Sequence, residues 1–89
     1  MVKVIIASHR HLADGMDDTL KYLVPSLTNI ETISAYVDNE PITVAVEAAL
    51  NRCQGTEDIL VFTDLLGGSV NQEFVKQFNP NVHLITGMI

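Results

Sequence analysis

The chain has 89 residues, enough for one small domain, and its 47% hydrophobic and 18% charged residues are typical of a globular protein and not of a disordered segment. Its net charge is −6 and its five lysine and arginine residues are scattered, which excludes a basic surface for nucleic acid. Its apolar runs are far shorter than the ~20 residues of a membrane span, and the N-terminus lacks a signal-peptide pattern, so we expect a soluble, cytoplasmic protein.

The first part of the sequence predicts a strand followed by a helix. Val2 to Ala7 is a short β-branched run with continuous hydrophobicity, typical of a strand buried on both faces of a parallel sheet, and it ends at Ser8-His9. Apolar residues then recur at helical spacing, with charged residues on the other face, which predicts an amphipathic helix ending near Pro25. The apolar positions of this helix are Leu12, Met16, Leu20, Leu23, Val24 and Leu27.

The middle of the sequence predicts a second strand and a second helix. Ile30 to Val37 alternates in the manner of a strand, and Asp38 or Asn39 can cap a helix that has Pro41 in its first turn and is closed by Gly55. Because Cys53 is the single cysteine, it cannot form an internal disulfide, and we interpret it as a small buried hydrophobic residue. The buried stripe of the helix is predicted to contain Ile42, Ala45, Val46, Ala49, Leu50 and Cys53.

The last part predicts two more strands, Ile59 to Thr63 and Val82 to Thr86, around a loop at 64–69 and a third helix. The resulting βαβαβαβ order predicts an α/β fold with a doubly wound, mainly parallel sheet, helices on both faces and a flavodoxin-like strand order. Residues 1–89 are expected to form this single domain. The apolar positions of the third helix are Val70, Phe74, Val75 and Phe78.

This fold predicts where a ligand would bind. In doubly wound sheets, ligands bind beyond the carboxyl ends of the strands, at the point where successive connections leave in opposite directions. In the flavodoxin-like order this point lies between the first and third strands, so the loops 8–11 and 64–69 should face each other. The sequence therefore predicts that His9 and Asp64 meet across a crevice.

The two loops carry residues suited to phosphoryl transfer. Imidazole is a nucleophile at neutral pH, and a carboxylate such as Asp64 bonded to one ring nitrogen would leave the other nitrogen of His9 free to attack. Gly67, Gly68 and Ser69 at a helix N-terminus would supply close backbone amides and a hydroxyl for phosphate binding. We expect no cofactor and no metal ion, because the loop histidines lack a carboxylate or thiol at fixed spacing to complete a metal shell.

Each of these residues also has a purely structural interpretation. Taken alone, a histidine at a strand end is more often a hydrogen-bonded surface residue, an aspartate such as Asp64 more often a cap or turn former, and paired glycines more often a turn. Their conjunction at the predicted crevice favours the catalytic interpretation. We interpret His11 as a solvated residue near the start of the first helix and assign no role to His83.

At these residues the sequence resembles the IIA domain of the mannose-type phosphoenolpyruvate-dependent sugar phosphotransferase system (the mannose/fructose/sorbose family). The resemblance is carried by Ala7-Ser8-His9 with residues 12–15 after it, and more specifically by residues 61–69. It implies that His9 accepts a phosphoryl group from the histidine-containing phosphocarrier protein and passes it to a IIB component for sugar uptake, with membrane permease components involved indirectly. It also implies that Asp64 orients His9.

The sequence departs from the family pattern at two positions near the predicted site. Many members have glycine where this chain has Arg10, and proline where it has Val70; the Arg10 side chain could crowd the docking face or pair with the phosphate. Members also run longer and form dimers by exchanging a C-terminal strand. The resemblance therefore implies that this sequence is a C-terminally truncated fragment of a homodimer.

Two other functions remain open at this point. The phosphocarrier domain of phosphotransfer-driven dihydroxyacetone kinases shares the fold and the first-strand histidine, although the segment 63–69 argues against it. A non-catalytic regulatory module would hold an anion or nucleotide in the crevice and leave His9 unmodified.

Overall fold

Residues 2–53, 58–65, 68–77 and 79–89 are described by the structure, a computed structural model of the chain. Strands and helices alternate along the chain, and the four strands form one parallel sheet in the order β2-β1-β3-β4. This arrangement confirms the predicted doubly wound α/β fold and its strand order. The elements are β1 (Val2–His9), α1 (Leu12–Leu23), β2 (Ile30–Ala35), α2 (Ile42–Arg52), β3 (Asp58–Thr63), α3 (Ser69–Lys76) and β4 (Val82–Thr86).

The register of the sheet brings the ends of three strands together. β1 lies between β2 and β3, with His9 opposite Ala35 on one side and Ala7 opposite Thr63 on the other. Because all strands are parallel, their carboxyl ends lie at one edge of the sheet. The loops that follow β1, β2 and β3 therefore begin side by side.

The main core lies between the sheet and the helices α2 and α3. Alternate strand residues point to this face, and the buried stripe of α2 packs on them as predicted. Cys53 is buried there, in agreement with its interpretation as a hydrophobic residue. The buried cluster consists of Ile5, Ala7, Ile33, Ala35, Val46, Ala49, Cys53, Ile59, Val61, Val70, Phe74 and Val82.

The opposite face of the sheet is covered less completely, since the helix packed on it is α1, over β1 and β2. Within α1 only Ala13 is buried, and the predicted apolar residues Leu12, Met16 and Leu23 are 37%, 38% and 66% exposed. The apolar stripe predicted for this helix therefore remains half in solvent. A small apolar cavity lies on this face, lined by Val4, Ile6, Met16, Leu20, Phe62 and Met88.

Several predicted helix and strand ends differ from those in the structure. β2 ends at Ala35 and not at Val37, because Tyr36 adopts a left-handed φ of 65° that no strand continues. The prediction that Asp38 or Asn39 caps α2 was wrong: Pro41 is the N-cap, and the Asp38 carboxylate accepts a hydrogen bond from the Glu40 amide instead.

The third helix also differs from its predicted pattern. Its buried face is partly polar, because Asn71 and Glu73 are buried beside Val70 and Phe74, whereas Val75 is 57% exposed. Of the apolar positions named for this helix, Val75 therefore lies outside the core. The predicted roles of Gly55 and Phe78 fall outside the described residues. No helix among the described residues is long and apolar enough to cross a membrane.

Candidate functional site

His9 and Asp64 lie in contact at the carboxyl ends of β1 and β3. The Asp64 Oδ2 atom accepts hydrogen bonds from the His9 backbone amide and from the His9 ring nitrogen Nδ1, each at 2.8 Å. The side chain of Asp64 is 2% exposed, whereas that of His9 is 34% exposed. The carboxylate is therefore buried behind the imidazole, which keeps one side open to solvent.

The surroundings of Asp64 favour its charged form. Burial by itself would raise the pKa of this carboxyl, but hydrogen bonds from the His9 amide and ring and from the Leu65 amide, together with the His9 charge, outweigh it and hold the pKa below its ordinary value. The Leu65 amide binds the second oxygen, Oδ1, at 2.9 Å. Asp64 is therefore a carboxylate near neutral pH, and it can only accept hydrogen bonds.

This charge state determines the tautomer of the neutral His9 ring. Because the Asp64 carboxylate cannot donate, the proton lies on Nδ1 and the lone pair lies on Nε2. The Ser69 hydroxyl lies 3.3 Å from Nε2, at the first residue of α3. The structure therefore brings together three of the residues predicted from the sequence, His9, Asp64 and Ser69, with the unprotonated ring nitrogen next to the Ser69 hydroxyl.

The predicted glycines can be compared with the structure only at Gly68, since Gly67 lies outside the described residues. The Gly68 amide donates to the Leu65 carbonyl at 3.1 Å, so it is engaged within the loop. A Cβ atom at Gly68 would lie 3.3 Å from the Leu65 Cβ atom and 3.4 Å from the His9 Cε1 atom. The absence of a Cβ atom at Gly68 therefore allows the loop to approach the imidazole closely.

Tyr36 and Arg10 belong to the same cluster and were not predicted as site residues. The Tyr36 ring stacks on the His9 imidazole, with centroids 5.3 Å apart and planes inclined by 28°. The Tyr36 hydroxyl lies 2.6 Å from the Ser69 hydroxyl. Arg10 has a left-handed φ of 57°, and its guanidinium donates to the Tyr36 carbonyl at 2.6 Å.

Polar contacts behind the site fix the two loops. The fully buried Ser8 hydroxyl accepts a hydrogen bond from the Ala13 amide at 2.7 Å, which satisfies one of the free amides at the start of α1. The Thr63 hydroxyl donates to the buried Asn71 amide oxygen at 3.0 Å and links the end of β3 to α3. These contacts escape pattern analysis because all three polar side chains involved are buried.

The last residues of the chain reach the same edge of the sheet. The amides of Gly87 and Met88 donate to the Thr63 carbonyl at 3.1 and 3.2 Å. The Ile89 amide donates to the Asp64 carbonyl at 3.3 Å. The segment that follows β4 therefore lies beside the loop that carries Asp64.

The other histidines lie apart from His9. His11 is exposed at the start of α1, where its ring is 3.5 Å from the Asp14 carboxylate, and His83 in β4 contacts the Asp58 carboxylate at 2.8 Å. Among the described residues, no group of three or more His, Cys, Asp and Glu side chains is placed to hold a metal ion. A cavity of about 320 Å³ runs along β2 with Tyr36 on its wall, and His9 is not among its lining residues.

Comparisons with known proteins place the chain in a family. A family model described as "PTS system fructose IIA component" matches residues 3–88. A protein of Klebsiella pneumoniae subsp. pneumoniae, proposed to be a phosphoenolpyruvate-dependent sugar phosphotransferase system (PTS) permease, has a solved structure that is 33% identical with a TM-score of 0.89. The match covers 99% of this chain and 66% of that one.

A second solved structure is the phosphotransferase system component EIIA of Streptococcus agalactiae, which is 25% identical with a TM-score of 0.73 over all of this chain and 71% of its own. The chain thus spans about two thirds of the length of these structures. A search of curated proteins found no significant match. The family match spans nearly the whole sequence, and the chain belongs to the fructose/mannose-type IIA family of the sugar phosphotransferase system.

Proposed function

We propose that this chain is a phosphocarrier in which His9 Nε2 accepts a phosphoryl group from the histidine-containing phosphocarrier protein and passes it to a IIB component for sugar uptake. The observation that carries the proposal is the way in which the His9 ring is held. Its Nδ1 atom is held by the buried Asp64 carboxylate, so Nε2 carries the lone pair, and the ring at the end of β1 is partly exposed to solvent. Membership of the family supports the direction of transfer.

The transfer step follows from the tautomer. The Nε2 lone pair attacks the phosphorus of the donor's phosphohistidine, the new N–P bond forms as the donor's N–P bond breaks, and the donor imidazole leaves. The His9 ring keeps its Nδ1 proton and becomes cationic, and the Asp64 carboxylate balances that charge at 2.8 Å. Since Asp64 is already ionised and already bonded, no group must reorganise to stabilise this charge.

Ser69 and the first turn of α3 form the proposed phosphate-binding side. The Ser69 hydroxyl lies 3.3 Å from Nε2, so it is within reach of a phosphoryl group placed on that atom. The positive end of the α3 dipole points toward the same place. Gly68 keeps the loop close to the imidazole. On the sequence pattern, we also propose Gly67 as a phosphate-binding residue.

The remaining parts of the proposal rest on the family. We propose that the protein acts in the cytoplasm, that its direct partners are the phosphocarrier protein and a IIB component, that permease components take part indirectly, and that the full-length protein is a homodimer. The chain matches about two thirds of the length of the two solved structures.

The experiment that tests the function is labelling. Incubation with phosphoenolpyruvate, enzyme I and the phosphocarrier protein should add the mass of one phosphoryl group in an acid-labile, base-stable form. His9→Ala should abolish the label, and His11→Ala should leave it largely intact because His11 is exposed and separate from Asp64. A label that survives in His9→Ala, or a folded parent that takes up none, contradicts the proposal.

A further inference from the structure

Tyr36 contacts both His9, the proposed phosphoryl acceptor, and Ser69, and neither contact takes part in the transfer step proposed above. Its ring lies against the face of the His9 imidazole, and its hydroxyl lies 2.6 Å from the Ser69 hydroxyl. Ser69 in turn contacts Nε2, the atom that attacks phosphorus. Tyr36 therefore contacts both the nucleophile and the group that lies in front of it.

The direction of these hydrogen bonds follows from Asp64. The carboxylate fixes the proton on Nδ1, so Nε2 can only accept, and Ser69 must donate to it. The Ser69 oxygen is then left as the acceptor for Tyr36, whose hydroxyl must donate. The result is one polarised chain that runs from the Tyr36 hydroxyl through Ser69 to Nε2 of His9 and from Nδ1 to Asp64.

Because a hydroxyl donating to the Nε2 lone pair opposes attack through that lone pair, the Ser69 hydrogen bond must be released as the N–P bond forms. We propose that Tyr36 is a positioning residue for this step: its ring holds the plane of the imidazole, and its hydroxyl anchors the Ser69 oxygen while the Ser69 O–H turns from Nε2 to an arriving phosphoryl oxygen. The O–H bond of Ser69 stays intact, so no proton is transferred. This inference rests on the proposed function.

The backbone at Tyr36 supports a specific role for the side chain. A φ of 65° is unfavourable for a bulky aromatic residue, and such conformations are concentrated at functional sites. Two hydrogen bonds from Arg10 hold this turn, one from its guanidinium to the Tyr36 carbonyl at 2.6 Å and one from its amide to the Ala35 carbonyl at 2.7 Å. The turn places the Tyr36 ring over His9. If the backbone at Tyr36 were extended as in a strand, the side chain would point away from His9.

Removal of the hydroxyl tests the proposal. Tyr36→Phe keeps the ring stack and should lower the turnover rate of phosphoryl transfer to His9 about three- to tenfold, since one hydrogen bond in the chain is lost, with the KM for the phosphocarrier protein unchanged. Tyr36→Leu also removes the stack and should slow the reaction about two- to tenfold more. Tyr22→Phe is the matched control, because Tyr22 is 84% exposed on α1 and should leave the rate unaltered.

A second measurement separates this role from simple structural support. In ¹⁵N-labelled protein without any phosphoryl donor, the Nε2 resonance of His9 should move downfield in Tyr36→Phe, toward the position of an unbonded lone pair, and stay in place in Tyr22→Phe. This spectrum does not depend on phosphorylation, so it can support the hydrogen-bond chain even if the labelling experiment overturns the proposed function. A Tyr36→Phe variant with the parent's turnover rate, one changed only in KM, or one with an unmoved Nε2 resonance overturns the inference.

Discussion

A carboxylate that accepts three hydrogen bonds, as Asp64 does, cannot be replaced by an amide without conflict. An asparagine has one acceptor oxygen, whereas His9 donates twice to Oδ2 and Leu65 once to Oδ1. Whichever way the amide turns, its NH₂ group faces a backbone or ring N–H donor. The same substitution also removes the negative charge that would balance the proposed phosphorylated ring.

We therefore expect Asp64→Asn to remain folded but to accept phosphate more slowly, by about 10²–10⁴-fold, because the nucleophile persists while its tautomer and charge support are weakened. The initial labelling rate measures this effect, with circular dichroism as the control for folding. The loss should stay smaller than that of His9→Ala. A folded variant with the parent's rate would show that Asp64 is a turn or capping residue only.

At the level of residues, the sequence predicts those site residues that lie at or just after the ends of the strands. His9, Asp64 and Ser69 meet because β1 and β3 are neighbours and parallel, which the βαβαβαβ pattern already implies. Tyr36 could not be predicted in the same way, because the left-handed φ that turns its ring onto His9 is rare for tyrosine and leaves no signal in the alternating pattern of β2.

At the level of elements, α3 shows why hydrophobic periodicity is an incomplete guide. Its buried Glu73 accepts hydrogen bonds from the Thr43 hydroxyl and from the Gln77 side-chain amide, both at 2.9 Å. The Thr43 contact connects α3 to α2, and the Gln77 contact lies at the C-terminal end of α3 itself. The hydrogen bond from Gln77, then that from Thr43, lower the pKa of the Glu73 carboxyl against the opposing effect of burial. A pattern of apolar residues alone assigns this position to solvent.

This pKa shift predicts how stability depends on pH. Because the folded-state pKa of Glu73 lies below the ordinary value of 4.5, the carboxylate stabilises the fold above pH 4.5, and this contribution is lost as the pH falls through the folded-state value. Glu73→Gln should therefore be less stable than the parent at pH 7, and the difference should shrink as the pH is lowered below 4.5.

Urea unfolding followed by circular dichroism between pH 7 and pH 3 measures this difference. Glu47→Gln is the matched control, because Glu47 lies on the exposed side of α2 and should follow the parent at every pH. A Glu73→Gln variant that keeps a constant difference from the parent over the whole range would show that the Glu73 charge does not contribute.

At the level of the whole molecule, the two faces of the sheet are unequally covered. α2 and α3 close one face. On the α1 face, Ile85 in the edge strand β4 is 46% exposed, and Leu12 and Met16 are 37% and 38% exposed. An edge strand with apolar side chains in solvent is a site of self-association. The sequence does not reveal this asymmetry, because the pattern predicts that an apolar strand residue is buried whether or not a helix covers it.

We expect this chain to associate as its concentration rises, and Ile85→Lys to reduce that association, because a lysine on an edge strand opposes pairing. Sedimentation velocity over a range of concentrations measures the effect. Asn79→Lys adds the same charge at an exposed position outside the strands and serves as the control. A parent that stays monomeric at all concentrations, or equal effects of the two lysines, would contradict the role of β4.

The position of the last three residues has a practical consequence for handling the protein. Since the Ile89 amide bonds to the Asp64 carbonyl, an affinity tag or surface linkage joined after Ile89 would begin beside the reactive loop and obstruct an approaching protein. Val2 begins the strand that ends at His9, and eight residues of extended chain separate the two ends of β1 by about 23 Å. Immobilisation through the N-terminus therefore leaves the proposed site, at the carboxyl edge of the sheet, facing the solution.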